Sequence, residues 1–186
     1  MRKVLGSVVT WASGLSFAVL AGVAIVDLIL SRVFFLGFPQ VPRVLEHALL
    51  ALAFFAAVKA SVDGSHLALS AGGTSSLFVG AVRSGLGALV NTTLFCASLS
   101  LVFVGFEPGA LLLGLPLPIF VAPMAIGFLL IACVDVARAA GSARLSALAG
   151  LVVGLFLGTP ALVNVLEALG LDPGFLYAVA DAVATL

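Results

Sequence analysis

Long stretches without a charged residue dominate this 186-residue chain. Four of them contain 23, 23, 27 and 22 residues, and they lie between Lys3 and Asp27, Arg83 and Glu107, Glu107 and Asp135, and Arg144 and Glu167. A helix rises about 1.5 Å per residue, so it needs roughly 20 apolar residues to cross a hydrocarbon core about 30 Å thick. The spacing of the charges therefore predicts an all-α integral membrane protein that crosses the bilayer several times.

The composition supports the same class. Hydrophobic residues make up 63% of the chain and charged residues 9%, against about 45–50% and about 25% in soluble domains. The apolar runs are continuous, as in Leu111–Leu113 and Phe128–Ala132, whereas strands of a membrane barrel alternate between apolar and polar residues. A formal net charge of zero gives no indication of a nucleic-acid partner.

Two segments are predicted. Residues 1–140 form a four-helix transmembrane bundle with helices at about 8–31, 43–62, 84–105 and 118–137, and with an interfacial segment at 63–82. Residues 141–186 add a glycine-faced fifth helix at about 145–165, interrupted at Gly158-Thr159-Pro160, and an acidic outer tail. The tail carries Glu167, Asp172 and Asp181 and no basic residue.

The distribution of basic residues predicts the orientation. Lysine and arginine are enriched in short cytoplasmic loops. With a cytoplasmic N-terminus, six basic residues lie on the cytoplasmic side and two on the outer side. The six are Arg2, Lys3, Lys59, Arg83, Arg138 and Arg144, and the two are Arg32 and Arg43. We therefore predict that the N-terminus lies in the cytoplasm.

Charged residues near the outer helix ends are the first candidates for function, since a charge costs about 2.5–3.5 kcal/mol at the centre of a membrane helix. Asp27, Arg32 and Glu46 lie there, and Arg43 precedes Glu46 by one turn. One interpretation is a coupling-ion or substrate site. The favoured interpretation is an ion pair of Glu46 with Arg43 or Arg32 that locks helices one and two or docks a partner.

Small residues form a second candidate surface. Ser146, Gly150, Gly154 and Gly158 recur every four residues, so they share one helix face that another helix can approach closely. Docking of another subunit and packing within this chain are both open.

Polar residues within the spans are ambiguous. We interpret Asn91, Thr92 and Thr93 as forming interhelical hydrogen bonds rather than a polar path through the third helix. We interpret His66 as a structural or interfacial residue. The roles of Asp27, Asn91 and Asn164 stay open. Neither a catalytic constellation nor a metal motif is recognisable, so the chain is predicted not to be an enzyme. A small carrier or channel that acts alone as an oligomer is one function open to such a chain.

Four short motifs occur in a characteristic order. An arginine closes the first helix, a glutamate opens the second, a Gly-x-His motif follows about twenty residues later, and the fourth helix contains a proline. They are Ser31-Arg32-Val33-Phe34, Leu45-Glu46-His47, Gly64-Ser65-His66-Leu67 and Pro123. This order resembles the small membrane (Q-type) subunit of tripartite ATP-independent periplasmic (TRAP) transporters over roughly residues 1–140. The family core has four helices, so residues 141–186 are an addition or a connector to a fused large subunit.

The resemblance implies a non-catalytic scaffold subunit of a sodium-coupled secondary transporter in the bacterial inner membrane. Its partners would be a large membrane subunit, which would hold the sodium and solute sites, and a periplasmic solute-binding protein. The solute would be a small molecule of carboxylate type. This chain would hold no cofactor or metal, and membrane lipids are its remaining candidate ligands. Arg32, Arg43, Glu46 and His66 become candidates for structural or docking roles.

Overall fold

Seven helices and one short hairpin make up the part of the chain that the computed structural model describes, namely residues 2–36, 39–63, 77–107, 109–139 and 141–185. The structure is 83% helical. The helices are α1 (Arg2–Val33), α2 (Val41–Asp63), α3 (Leu77–Val104), α4 (Leu117–Arg138), α5 (Ser142–Leu157), α6 (Thr159–Ala168) and α7 (Leu176–Ala184). The hairpin strands are β1 (Leu111–Leu112) and β2 (Leu115–Pro116).

Four helices are long and apolar enough to cross a membrane, which confirms the predicted all-α class with several membrane-length helices. They are α1 to α4, and the pair α5 and α6 makes a fifth if it is counted as one span. The predicted ranges 8–31, 43–62 and 118–137 fall inside α1, α2 and α4. The predicted interruption of the fifth helix is also observed, since α5 ends at Leu157 and α6 leaves it at 56°. Pro160, in the first turn of α6, has no N–H, so it cannot continue the backbone hydrogen bonds of α5.

The start of the third helix differs from the prediction. Helix α3 begins at Leu77 rather than near residue 84, so residues 77–82 belong to the third helix. The prediction took Arg83 as the helix border because it is charged. Arg83 is exposed near a helix end, where a long basic side chain can reach the headgroups without ending the helix. The rest of the predicted segment, residues 64–76, lies outside the described residues.

Helices α1 to α5 form an open row in the order α1, α2, α4, α3, α5. Within the described residues α1 packs extensively against α2 alone, whereas a closed four-helix bundle gives each helix two neighbours. The α1 side of the row is held by Val9, Val58, Val62 and Val134, against which Phe55 and Leu130 pack. Both broad faces of the row are therefore left to lipid or to partners.

The loop between α3 and α4 contains a β-hairpin that was not predicted. Leu112 pairs with Leu115, and the two residues between them, Leu113 and Gly114, have φ values of 54° and 79°. Positive φ at both positions is typical of a type I′ turn, whose twist matches that of antiparallel strands. The Leu113 N–H donates to Oε1 of Gln40 at 3.2 Å, so the hairpin contacts the start of α2. We call this end of the row the hairpin end and the opposite end the amino-terminal end.

Candidate functional site

The predicted glycine face is filled by α3 of the same chain. A Cβ atom added at Gly150 would collide with the carbonyl oxygen of Gly85, and one added at Gly154 would lie 2.7 Å from the carbonyl oxygen of Leu89. At Gly158 the added atom would lie 2.6 Å from Sγ of Cys96. The sequence left open whether this face docks another subunit or packs within the chain. In the structure it packs within the chain, against α3.

Hydrogen bonds reinforce this contact. The Ser146 hydroxyl donates to the carbonyl oxygen of Ala81 at 2.7 Å, and the Thr93 hydroxyl donates to that of Gly154 at 3.3 Å. Residues of α3 with higher numbers contact residues of α5 with higher numbers, so the two helices run parallel. Parallel helices are expected when a single helix, here α4, returns the chain between them.

Asp135 is a polar contact residue that the sequence reasoning missed. Asn91 donates from Nδ2 to the carbonyl oxygen of Gly87 at 2.8 Å and to Oδ2 of Asp135 at 3.3 Å, which joins α3 to α4. A Cβ atom at Gly87 would lie 3.0 Å from the same carboxylate oxygen. Nearby, Arg138 donates from Nη1 to the carbonyl oxygen of Ser61 in the last turn of α2. A cation there complements the negative end of a helix. The sequence signal for Asp135 was its position at the end of a charge-free stretch.

The predicted ion pair of Glu46 is wrong within the described residues. Arg32, Arg43 and Glu46 are all exposed near the hairpin end, and neither arginine forms a salt bridge with Glu46. An arginine that precedes a glutamate by three positions is the less favourable order for a pair along a helix, and exposed pairs gain little. A salt bridge joins Lys59 to Asp63 at the amino-terminal end.

Other candidates are placed as follows. His66 and its Gly-x-His motif lie outside the described residues. His47, the residue after Glu46, is half-buried, with its ring centroid 6.1 Å from that of Phe120, and in the described structure its buried Nε2 has no hydrogen-bond partner. Asn164 is exposed on α6. No group of three or more potential metal-ligating side chains occurs among the described residues.

Asp27 lies in an apolar groove between α1 and α2 at the hairpin end. Two adjoining cavities of about 320 and 450 Å³ share Val23 and Val41. The first is lined by Val19, Gly22, Val23, Val26, Asp27, Leu30 and Val41, and the second by Val23, Pro39, Gln40, Val41, Val44 and Leu113. We call the two cavities together the hairpin-end groove. Asp27 and Gln40 are the polar residues among those that line the groove, and the surface of the first cavity is almost entirely apolar.

No family model matches the sequence, no curated protein matches it, and no solved structure matches its fold.

Proposed function

We propose that this chain is the small, non-catalytic scaffold subunit of a secondary transporter of the TRAP type. The observation that carries the proposal is the exposure of Arg32, Arg43 and Glu46 near the hairpin end, where none of them forms a salt bridge within the described residues. They lie in the segment that also carries the family-like motif order. A carboxylate on the surface of a membrane helix is costly unless a cation or water meets it. The basic and acidic groups of a partner subunit would meet these side chains there.

The interior of the row also favours a scaffold over a carrier. Of the buried polar side chains, Ser98 and Thr159 donate to carbonyl groups of their own or the adjoining helix, whereas the Thr92 hydroxyl has no hydrogen-bond partner in the described structure. Asn91 and Thr93 are used in contacts between helices. The two cavities described lie at the edge of the row between α1 and α2, not along its axis. A solute route is therefore better supplied by another chain, which would be the large membrane subunit with its sodium and solute sites.

The proposed setting is the bacterial inner membrane with the N-terminus in the cytoplasm, as the six-to-two distribution of basic residues indicates. Helix α5 has 16 residues and α6 has 10. At about 1.5 Å per residue they measure about 24 and 15 Å, and a bend of 56° still advances the chain by about 8 Å in the direction of α5. We infer that the pair completes one crossing, which puts α7 on the outer side with a periplasmic binding protein.

Co-purification tests the proposal. After mild solubilisation, we expect a large membrane protein of about twelve helices to elute with this chain in a fixed ratio, and we expect uptake of a carboxylate solute only with both chains and the binding protein. Uptake by this chain alone in liposomes would instead establish the small carrier or channel.

A charge substitution locates the docking surface. Glu46→Gln keeps the side-chain shape and should reduce the amount of large subunit recovered by about fivefold or more, the size of an interfacial charge pair. Glu107→Gln changes an exposed glutamate in the turn after α3 and is the matched control. Equal recovery with both variants would argue against docking through Glu46.

A further inference from the structure

Three exposed arginines at the amino-terminal end of the row form no salt bridge within the described residues. They are Arg83 in α3, Arg138 in α4 and Arg144 in α5, and we call them the arginine belt. Of the two carboxylates near this end, that of Asp63 pairs with Lys59 and that of Asp135 accepts a hydrogen bond from Asn91. Six basic and two acidic residues of the sequence lie toward this end, which gives it a formal net charge of +4.

The arginines of the belt lie at similar depths. Ser146, two residues after Arg144, donates to the carbonyl oxygen of Ala81, so Arg144 is level with about residue 79 of α3. A Cβ atom at Gly87 would lie 3.0 Å from the carboxylate of Asp135 on the antiparallel α4, so the last residue of α4 is level with about residue 84. The belt therefore spans about five residues of helix, or about 8 Å, which is close to the thickness of one headgroup layer.

Arg144 lies where a cation is unfavourable unless an anion accompanies it. It is in the first turn of α5, which contains no acidic residue, and its N-cap Gly141 makes no side-chain hydrogen bond to the helix. The N-terminal end of a helix carries a partial positive charge, which repels a cation and attracts an anion. An anion in contact with Arg144 would offset both positive charges.

The exposed faces that continue from two of these arginines are apolar. Leu148 and Val152 follow Arg144 at four-residue intervals and are 42% and 64% exposed, and Leu86, 57% exposed, follows Arg83 by three residues. Side chains at this spacing share one face of a helix. Because α3 and α5 both run away from the amino-terminal end, these apolar residues lie deeper in the membrane than the arginines. A phospholipid with an anionic headgroup matches both parts of each face, whereas a soluble anion or a soluble acidic protein would leave the apolar part uncovered.

We propose that the arginine belt binds anionic phospholipids, with a net-negative headgroup of the phosphatidylglycerol type. The guanidinium groups of Arg83 and Arg144 hold the phosphate groups, because a planar guanidinium can donate two hydrogen bonds to one phosphate. One acyl chain of each lipid lies along the exposed apolar face that continues from its arginine. Arg138 adds positive charge while its Nη1 donates to the carbonyl oxygen of Ser61. The site is formed by this chain alone, so it is independent of the proposed transporter function.

Native mass spectrometry of the purified chain measures the headgroup preference. The probes are phosphatidylglycerol and phosphatidylcholine with the same acyl chains. One basic residue near a membrane surface contributes about fivefold to the affinity for an anionic lipid, so we expect the wild-type chain to retain phosphatidylglycerol at least about tenfold better. The double variant Arg83→Gln/Arg144→Gln should lower this ratio at least about fivefold. Arg83→Lys/Arg144→Lys keeps both charges and should keep most of the preference.

The matched control removes the same charge from the hairpin end. Arg32→Gln/Arg43→Gln changes two exposed arginines at an end where three carboxylates outnumber the arginines. This variant should leave the ratio of the two lipids unchanged, because the hairpin end has no excess of positive charge to attract the anionic lipid.

A photoreactive amino acid tests the position of the acyl chain. At position 148, one turn after Arg144, it should cross-link phosphatidylglycerol more than phosphatidylcholine, and Arg144→Gln should abolish the difference. At position 25, where Ile25 of α1 is 57% exposed, it should cross-link the two lipids alike. Equal retention of the two lipids, equal effects of the two glutamine double variants, or cross-linking at position 148 that Arg144→Gln leaves unchanged would each overturn the proposal.

Discussion

The two sides of the helix row, α3 with α5 and α1 with α2, are held together in different ways. Helices α3 and α5 meet through glycines that bring one backbone against the other, as at Gly150 and Gly154. Helices α1 and α2 meet through valine side chains around Val58 and separate into a groove at the hairpin end. Because lipid is as apolar as these side chains, association in the membrane depends on close packing and hydrogen bonds rather than on burial from water. We therefore expect the half that contains α3 and α5 to be the stable half of the molecule. The packing of the half that contains α1 and α2 depends on the surrounding lipid or partners.

The largest effect is expected where backbone meets backbone. Gly154→Leu would drive a side chain into the carbonyl oxygen of Leu89 and into Thr92, whose Cβ would be 2.8 Å from the new Cβ. Overpacking of this kind costs about 1–3 kcal/mol or more, since neither obstacle is the flexible end of a side chain. Thermal unfolding in detergent should show a loss at the upper end of that range.

The matched control lies on the other half. Gly14→Leu adds the same side chain to α1, where nothing lies within 4 Å of the new Cβ, and should leave the unfolding temperature unchanged. Similar losses for the two variants would abolish the distinction between a tight half and a loose half.

A smaller effect is expected at the seam between the halves, where α4 meets α3. Asn91→Leu removes the hydrogen bond to Asp135 and should cost about 0.6 kcal/mol and at most about 1.7 kcal/mol, the average and the maximum for hydrogen bonds between membrane helices. Asn164→Leu replaces an exposed asparagine on α6 and is the control. If both variants unfold alike, the seam is held by apolar packing alone and the polar contact is incidental.

The sequence was sufficient for the membrane-length helices, apart from the start of α3, but it predicted neither α7 nor the arrangement of the helices. Charge spacing predicts a membrane helix well, because few charges are tolerated in the hydrocarbon core. It does not indicate neighbours, since every face of such a helix is apolar, so an open row and a closed bundle look alike in sequence. The glycine spacing predicted a packing face, yet its partner on α3 depends on Gly85 and on main-chain atoms of Leu89, which leave no pattern of their own.

The charges were misread for a related reason. Arg83 was treated as the border of the third helix, although it lies inside α3. Asp135 was given no role, although from α4 it accepts a hydrogen bond from Asn91 of α3. Glu46 was assigned to an arginine because the two are close in sequence. Exposed groups near a membrane surface are instead satisfied by headgroups, water or a partner chain, and none of these is encoded by local spacing. Tertiary contacts decide which charge is structural.

The smallest effect concerns the edge of the stable half, where α7 packs against α6. The Tyr177 hydroxyl donates to Oε1 of Glu167 at 2.6 Å, and this hydrogen bond, together with the nearby negative charge, raises the pKa of Tyr177 above its ordinary value of 10.0. A raised pKa in the folded state means that the contact stabilises below pH 10 and is lost as the pH rises through the higher folded value. Tyr177 is the single tyrosine of the chain, so phenolate absorbance reports on it alone. We expect a titration midpoint above 10.0 that returns toward it in Glu167→Gln, with Asp181→Asn as control. A midpoint that Glu167→Gln leaves in place would mean that α7 is not held to α6 by this bond.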